Sequence, residues 1–313
     1  MITPTSIPTV ADPLAPAPSG SWLAQFARLV RWELFLAWRR RAMMITLSSL
    51  LLAGYLLVVL VEYAIYYGSA DGSSTAPILG QSLSFPGALG VGGSYIADGG
   101  VLLFVVLAGV LIGSEYSYST LRLSLARGVG RGQLLAAQIV ALAILALILT
   151  ALALGLSALM GGIGTLAGMP NIVSASVVGI AGEVLVYWLA LAYNIFAYAL
   201  VSVWIGTLTR SVAGAIAGPL VFIVVEVVTT DILSALGGAQ VDNALLNAIS
   251  VIPNYLMGVN TSALVTWAGA APYTFTSGTA PVDGWHALIV SAIYCALFIL
   301  ISYLALRNRD VVE

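Results

Sequence analysis

Apolar residues come in six long runs, and the polar positions gather in the stretches between them. The runs cover approximately residues 42–61, 99–114, 133–160, 177–208, 211–230 and 286–306. Most match the roughly 20 residues that an α-helix needs to cross a hydrocarbon core. The second is short, and its span is expected to begin upstream, near residue 94 (94–114). The pattern predicts an all-α integral membrane protein with six transmembrane helices in a domain covering residues 42–306.

Ahead of the first run, residues 21–41 follow a helical period. Leu23, Phe26, Val30 and Leu34 share one stripe, and Gln25, Arg28, Arg31 and Arg39 lie opposite, although Trp32 and Phe35 interrupt the polar side. Arginines beside an anionic leaflet contribute roughly 1 kcal/mol each. Arg28, Arg31, Arg39, Arg40 and Arg41 therefore favour an amphipathic helix lying on the inner membrane surface. A plain extension of the first span is the competing reading. Residues 1–20, with Pro4, Pro8, Pro13, Pro16 and Pro18, have no cationic start and no apolar block, so they read as a flexible cytoplasmic tail and not as a secretory signal.

Between the second and third runs lies a polar island, from Gly113 to Arg131. Ser119 or Thr120 can cap a short helix there and Gly128 can end it in the left-handed conformation, with Arg122 and Arg127 presenting charge. That suits a docking element for a soluble partner. A solvated loop that is positive only because it is cytoplasmic is the plainer reading. Glu115, at the inner end of a span, is expected to pair with an arginine of the preceding helix.

Arginine also sets the topology. Arg28 to Arg41, Arg122 to Arg131, Arg210, and Arg307 with Arg309 fall in alternate connections, whereas residues 62–98, 161–176 and 231–285 contain none. Both termini, including the tail 307–313, are therefore expected in the cytoplasm. In the last outer connection, Leu245, Leu246, Ile249 and Ile252 keep helical spacing before Pro253, so residues 241–258 are expected to fold back on the outer face. The first outer connection, with Gly68, Asp71, Gly72 and Pro77, reads as a loop.

Composition sharpens this picture. With 60% hydrophobic and 8% charged residues and a mean hydropathy of +1.04, the chain cannot hide its apolar surface as a soluble globule. All 11 cationic residues are arginine. Without lysine there is no phosphate-cradling P-loop, so any ATP chemistry must come from another chain. A single cysteine, Cys295, excludes an intrachain disulfide, and a single histidine, His286, excludes a two-histidine zinc site. There is no Gly-x-Ser-x-Gly elbow. Catalysis in this chain is not expected, nor is a cofactor or a nucleic-acid partner.

Glu183 and Glu226 fall inside apolar runs. Such carboxylates face protein, water or substrate by default. With Tyr187 they are candidates for a substrate pathway, and hydrogen bonding to a neighbouring helix is the alternative. Trp188, Tyr193 and Tyr198 are further cavity candidates, while Trp204 reads as an interfacial anchor. Gly109 with Gly113 and Gly214 with Gly218 are spaced for close helix packing, and Gly218-Pro219 predicts a bend.

The chain resembles the membrane subunits of type-2 ABC exporters, six-span permeases that pair with separate ATP-binding subunits. The likeness rests on the helix before the first span, the island Gly-Ser-Glu-Tyr-Ser-Tyr-Ser-Thr-Leu-Arg with Leu-Ala-Arg and Arg131, the turn Arg210-Ser211-Val212-Ala213-Gly214, and the closing Arg307-Asn308-Arg309-Asp310. It departs from the family at Ser119, where glycine is usual, at Gly128, where proline is, and at Gln138, where lysine is. The resemblance implies a cytoplasmic coupling helix between spans two and three that fits a cleft in the ATP-binding subunit. Glu115, Tyr116, Ser119, Thr120, Leu121, Arg122, Arg127 and Arg131 are its docking candidates. ATP and magnesium would belong to that partner, and a second copy of the chain would complete the pathway, with Gly214 and Gly218 of span five candidates for the seam between copies or, equally, for packing within the chain. A proton-coupled secondary transporter using Glu183 or Glu226, and a non-transporting membrane anchor, are the alternatives.

Overall fold

The computed structural model describes residues 22–68, 76–117, 130–170, 177–238, 251–270 and 279–308. Its elements are α1 (Trp22–Arg39), α2 (Arg41–Gly68), α3 (Ala76–Leu83), α4 (Ala88–Tyr95), α5 (Val101–Ser117), α6 (Arg131–Leu166), α7 (Val177–Thr209), α8 (Val212–Gly238), α9 (Met257–Gly269) and α10 (Gly284–Asn308). A π-helical turn, Ile96–Gly100, joins α4 to α5, and a 3-10 turn, Ile252–Tyr255, precedes α9. Among the described residues there is no strand.

Six helices are long and apolar enough to cross a membrane: Arg41–Gly68, Ala88–Tyr116, Arg131–Leu166, Ile180–Thr209, Val212–Leu236 and Gly284–Asn308. The chain is a multi-pass membrane protein. These are the six expected spans, mostly extended at their ends. The 36 residues of α6 reach about 54 Å at 1.5 Å per residue, well beyond a core of about 30 Å. Composition marks only the part of a helix that sits in lipid, and the backbone ladder continues past it.

Two spans form the centre. In their most apolar stretches, 61% of the fourth span and 56% of the second are buried, against 17% of the first and fifth. Lipid tails are as apolar as leucine, so helices associate in lipid through close packing, which favours small residues. Ala190, Ala192, Ala197 and Ala199 of α7 and Ala108 of α5 are buried accordingly. A Cβ on Gly109 would lie 2.5 Å from the carbonyl oxygen of Ala215, and one on Gly113 would lie 2.5 Å from Val212 Cα. The two glycines thus seat α5 against α8. Gly218 packs on Ile205 and Gly214 on Thr209, both at the C-terminal end of α7. Trp204, expected as an interfacial anchor, stacks on Phe298 of α10, ring centroids 4.9 Å apart.

The connections free of arginine hold structure that the apolar pattern did not announce. After α3, the Phe85 amide donates to Gly161 O at 3.1 Å and to Thr165 Oγ1 at 3.0 Å, and Ser84 Oγ donates to Pro170 O at 3.0 Å. These bonds pin the first connection to the outer end of α6. In the last connection, residues 239–250, with Leu245, Leu246 and Ile249, lie outside the described residues. The helix that follows, α9, packs on α7, α8 and α10 and buries Met257, Asn260, Thr261 and Ala263. His286 holds the start of α10 to the 3-10 turn through Nε2 and Asn254 O, 3.0 Å apart.

Candidate functional site

Residues 118–129, and with them Ser119, Thr120, Leu121, Arg122 and Arg127, lie outside the described residues. The two stems of that segment, the end of α5 and the start of α6, are described, and both are braced by polar side chains.

The bracing begins in α1, which packs against α6. Its inward stripe runs through Phe26, Val30, Glu33 and Ala37, with Val30 and Ala37 buried. Three of the four residues of the expected stripe, Phe26, Val30 and Leu34, are buried or half-buried, whereas Leu23 is 68% exposed, together with Trp22, Trp32, Phe35 and Trp38. Ala37 is 1% exposed, and Glu33 is half-buried beside that stripe. Glu33 and Glu115 share a hydrogen bond between their carboxyl groups. Gln138 Nε2, from α6, donates to Glu115 Oε2. Arg40, in the break between α1 and α2, donates to Ser114 Oγ and, at 3.4 Å, to Val110 O.

Glu115, Gln138 and Ser114 are all buried. A buried carboxyl group is tolerated when it is hydrogen-bonded, and here α1 and α6 supply the partners. The arginine expected beside Glu115 is Arg40; it attracts the carboxyl group electrostatically but spends the hydrogen bonds given above on Ser114 and Val110. Gln138, at the position where the resemblance expects lysine, is the donor to Glu115. Burial pushes the Glu33 carboxyl above its ordinary range, and the hydrogen bond with Glu115 opposes that shift only in part.

Tyr116 hydrogen-bonds Thr207 of α7 and lies near Arg210. Arg210 adopts φ 53°, and its amide donates to Gly206 O at 2.9 Å, closing α7. Ser211 Oγ then accepts from the Gly214 amide at 3.0 Å and caps the start of α8. The motif Arg210–Gly214 is therefore a left-handed turn followed by an N-cap. Arg131 Nη1 donates to Leu306 O and Arg307 O, each at 3.0 Å. Its charge sits at the negative end of the α10 dipole.

The second group of candidates lies away from the ends that carry Arg131 and Arg210. Glu226 accepts from the Gly258 amide at 2.6 Å through Oε1 and from Tyr198 hydroxyl at 3.1 Å through Oε2, so it caps α9 from α8. Tyr187 is fully buried, with Gly93 against its hydroxyl. Glu183 is half-buried and precedes Tyr198 by about 22 Å along α7. The structure does not bring it to Glu226. Trp188 Nε1 donates to Leu147 O at 3.1 Å and Tyr193 hydroxyl to Ser291 Oγ at 3.0 Å, so these aromatics tie helices together. Several carboxylates escaped the sequence analysis, among them Glu33, Glu62 inside the first span, and Asp98. Glu33 was findable from its spacing to Val30 and Ala37. Asp98 is exposed on the π turn, next to an open apolar groove of about 500 Å³ lined by Leu50, Gly54, Leu57, Tyr95 and Leu102.

No curated protein matches the chain. A protein-family model described as "Protein of unknown function (DUF2705)" matches residues 95–312, from the π turn in the second span to the C-terminal tail. With more than half its length so matched, the chain belongs to the DUF2705 family.

Proposed function

We propose that this chain is the membrane subunit of an ATP-driven exporter of the type-2 ABC class. It works with a separate ATP-binding subunit, which holds the ATP and magnesium, and with a second copy of itself, and it moves its substrate across the cytoplasmic membrane. The observation that carries the reading is the bracing of the inner side. The stems of the 118–129 segment are linked to α1 through Glu33, to each other through Gln138 and Glu115, to α7 through Tyr116, and to α10 through Arg131. A displacement imposed on that segment by a partner reaches those helices through direct side-chain contacts. The absence of lysine supports a division of labour in which nucleotide chemistry stays outside this chain.

In this reading α1 lies on the cytoplasmic face. Its exposed Trp22, Leu23, Trp32, Phe35 and Trp38 meet lipid, while Arg28, Arg31 and Arg39, also exposed, meet anionic headgroups. Both termini are cytoplasmic. Arg122→Glu is expected to reduce copurification with the ATP-binding subunit and its stimulated ATPase; unchanged association and unchanged stimulation would sink the docking role. The carboxylates Asp98 and Glu226 inside apolar spans favour proton-coupled transport as the second reading. Uptake or export driven by a proton gradient alone, with no nucleotidase attached, would decide for it.

A further inference from the structure

The open groove between α2 and the second span lies at mid-height in both. Leu50 and Leu57 flank the middle of α2, and Tyr95 and Leu102 fall well inside the span Ala88–Tyr116. Space is left there because small residues face each other, Ala53 and Gly54 on α2 and Gly99 on the π turn. A Cβ on Gly54 would run into the Tyr95 hydroxyl, so glycine is what lets that ring lie across the hollow. The volume, about 500 Å³, falls in the range of small-molecule sites, and the leucine walls open toward lipid, with Leu57 62% exposed.

At the rim of this apolar groove stands a carboxylate. Asp98 directly precedes Gly99 and shares the exposed side of its helix with Ser94 and Leu102, each four residues away. About 15 Å of helix separates it from the Ala88 end of the span, which puts it at the depth of the hydrocarbon. Among the described residues no side chain hydrogen-bonds it, and the described arginines all lie on or next to α1 or at span ends. A carboxylate at that depth is costly unless protein, water or substrate faces it. It also sits on a π turn, an irregularity that recurs at functional sites. We propose that the groove, with Asp98 at its rim, is a binding site for an amphiphilic cation, a molecule carrying a single positive charge on an apolar body. The body fills the hollow over Ala53, Gly54 and Gly99, and the charge meets Asp98. An anion would be repelled there, and an uncharged acyl chain would leave the carboxylate unpaired. A second copy of the chain could cover the groove but has no described arginine within a span to bring to this depth. The inference concerns binding, and it holds whether transport is driven by ATP or by protons.

The test measures radiolabelled tetraphenylphosphonium on the full chain immobilised in neutral maltoside micelles, with empty micelles subtracted. Saturable binding is expected, and tetraphenylborate, of the same shape and opposite charge, should not compete. Asp98→Asn should weaken binding at least about tenfold, as loss of a charge partner in a poorly screened site does, and Asp98→Glu should restore most of it. Ala53→Trp, which fills the hollow and keeps Asp98, should abolish binding, whereas Leu52→Trp, exposed on the same helix but outside the groove, should leave it intact. Binding that ignores Asp98→Asn overturns the proposal and leaves an acyl-chain site. Binding that ignores Ala53→Trp places the cation elsewhere and overturns it too, as does the absence of saturable binding in the native chain. A disulfide between copies, formed in the membrane by Leu57→Cys in a Cys295→Ser background, would show a second copy in the groove and likewise overturn it. Should Ala53→Trp not fold, the comparison of Asp98→Asn with Asp98→Glu still decides, because Asp98 is exposed and bonded to no described side chain.

Discussion

At the scale of single residues, one methyl group decides how closely α5 approaches α8. A Cβ at Gly109 would meet the backbone carbonyl of Ala215 and not a flexible side-chain tip, so one helix must move. Gly109→Ala is expected to cost about 1–3 kcal/mol, the usual range for overpacking, read as a lower midpoint of thermal unfolding in detergent. Gly155→Ala, where nothing lies within 4 Å, should be neutral or stabilising, because alanine suits a helix interior better than glycine. Glu226 is a second decisive position. Replacing it by alanine strips the acceptor from the Tyr198 hydroxyl and from the Gly258 amide. Each stranded donor costs about 1–3 kcal/mol, and amide exchange at Gly258 should quicken. Glu226→Gln keeps one acceptor oxygen and should lose less. If Glu226→Ala left stability and exchange unchanged while altering transport, the capping role would give way to a pathway role.

At the scale of elements, Arg131 joins the first turn of α6 to the last turn of α10. Removing the guanidinium in Arg131→Ala takes a cation from a helix C-terminus, worth about 0.3–1 kcal/mol. Amide exchange should accelerate in the last turn of α10 and leave the core of α7 as slow as before. The elements differ in how far they could be read from the sequence. The six spans were legible because a run of some 20 apolar residues has few alternatives to crossing lipid. The turn at Arg210–Gly214 was legible as a motif, though not that a non-glycine residue would carry the positive φ. The helices α3 and α9 were not legible: they are short, lie in the arginine-free connections, and owe their placement to tertiary bonds such as those of Phe85 and Glu226. The second span was legible, but not its start in α4 at Ala88, ahead of the expected residue 94. In α1 the helix and most of its covered stripe, Phe26, Val30 and Leu34, were legible, but Ala37 and Glu33 on the same side were not. Charge pairing pointed to an arginine beside Glu115, and Arg40 is there; the acid Glu33 that also adjoins it was not legible.

For the whole molecule, the arrangement of helices is separable from its orientation in the membrane, because a bundle inserted either way has the same internal contacts. Orientation rests on arginine. One set of span ends carries Arg40, Arg131, Arg210 and Arg307, and the connections at the other ends carry no arginine, which places the first set in the cytoplasm under the proposed reading. Two exposed positions at opposite ends of the bundle test this directly. Leu166, at the end of α6 away from Arg131, is 90% exposed, and Arg31 is exposed on α1. In a Cys295→Ser background, a membrane-impermeant maleimide applied to intact cells is expected to label Leu166→Cys. It should label Arg31→Cys only after permeabilisation. The outcome bears on the mechanism as well as on topology. A cytoplasmic ATP-binding subunit can reach the 118–129 segment only if Arg31, which shares its side of the bundle through the Glu33–Glu115 contact, faces the cytoplasm. The reverse labelling pattern would put that segment out of reach of ATP and remove the exporter reading, while leaving the helix packing as it stands.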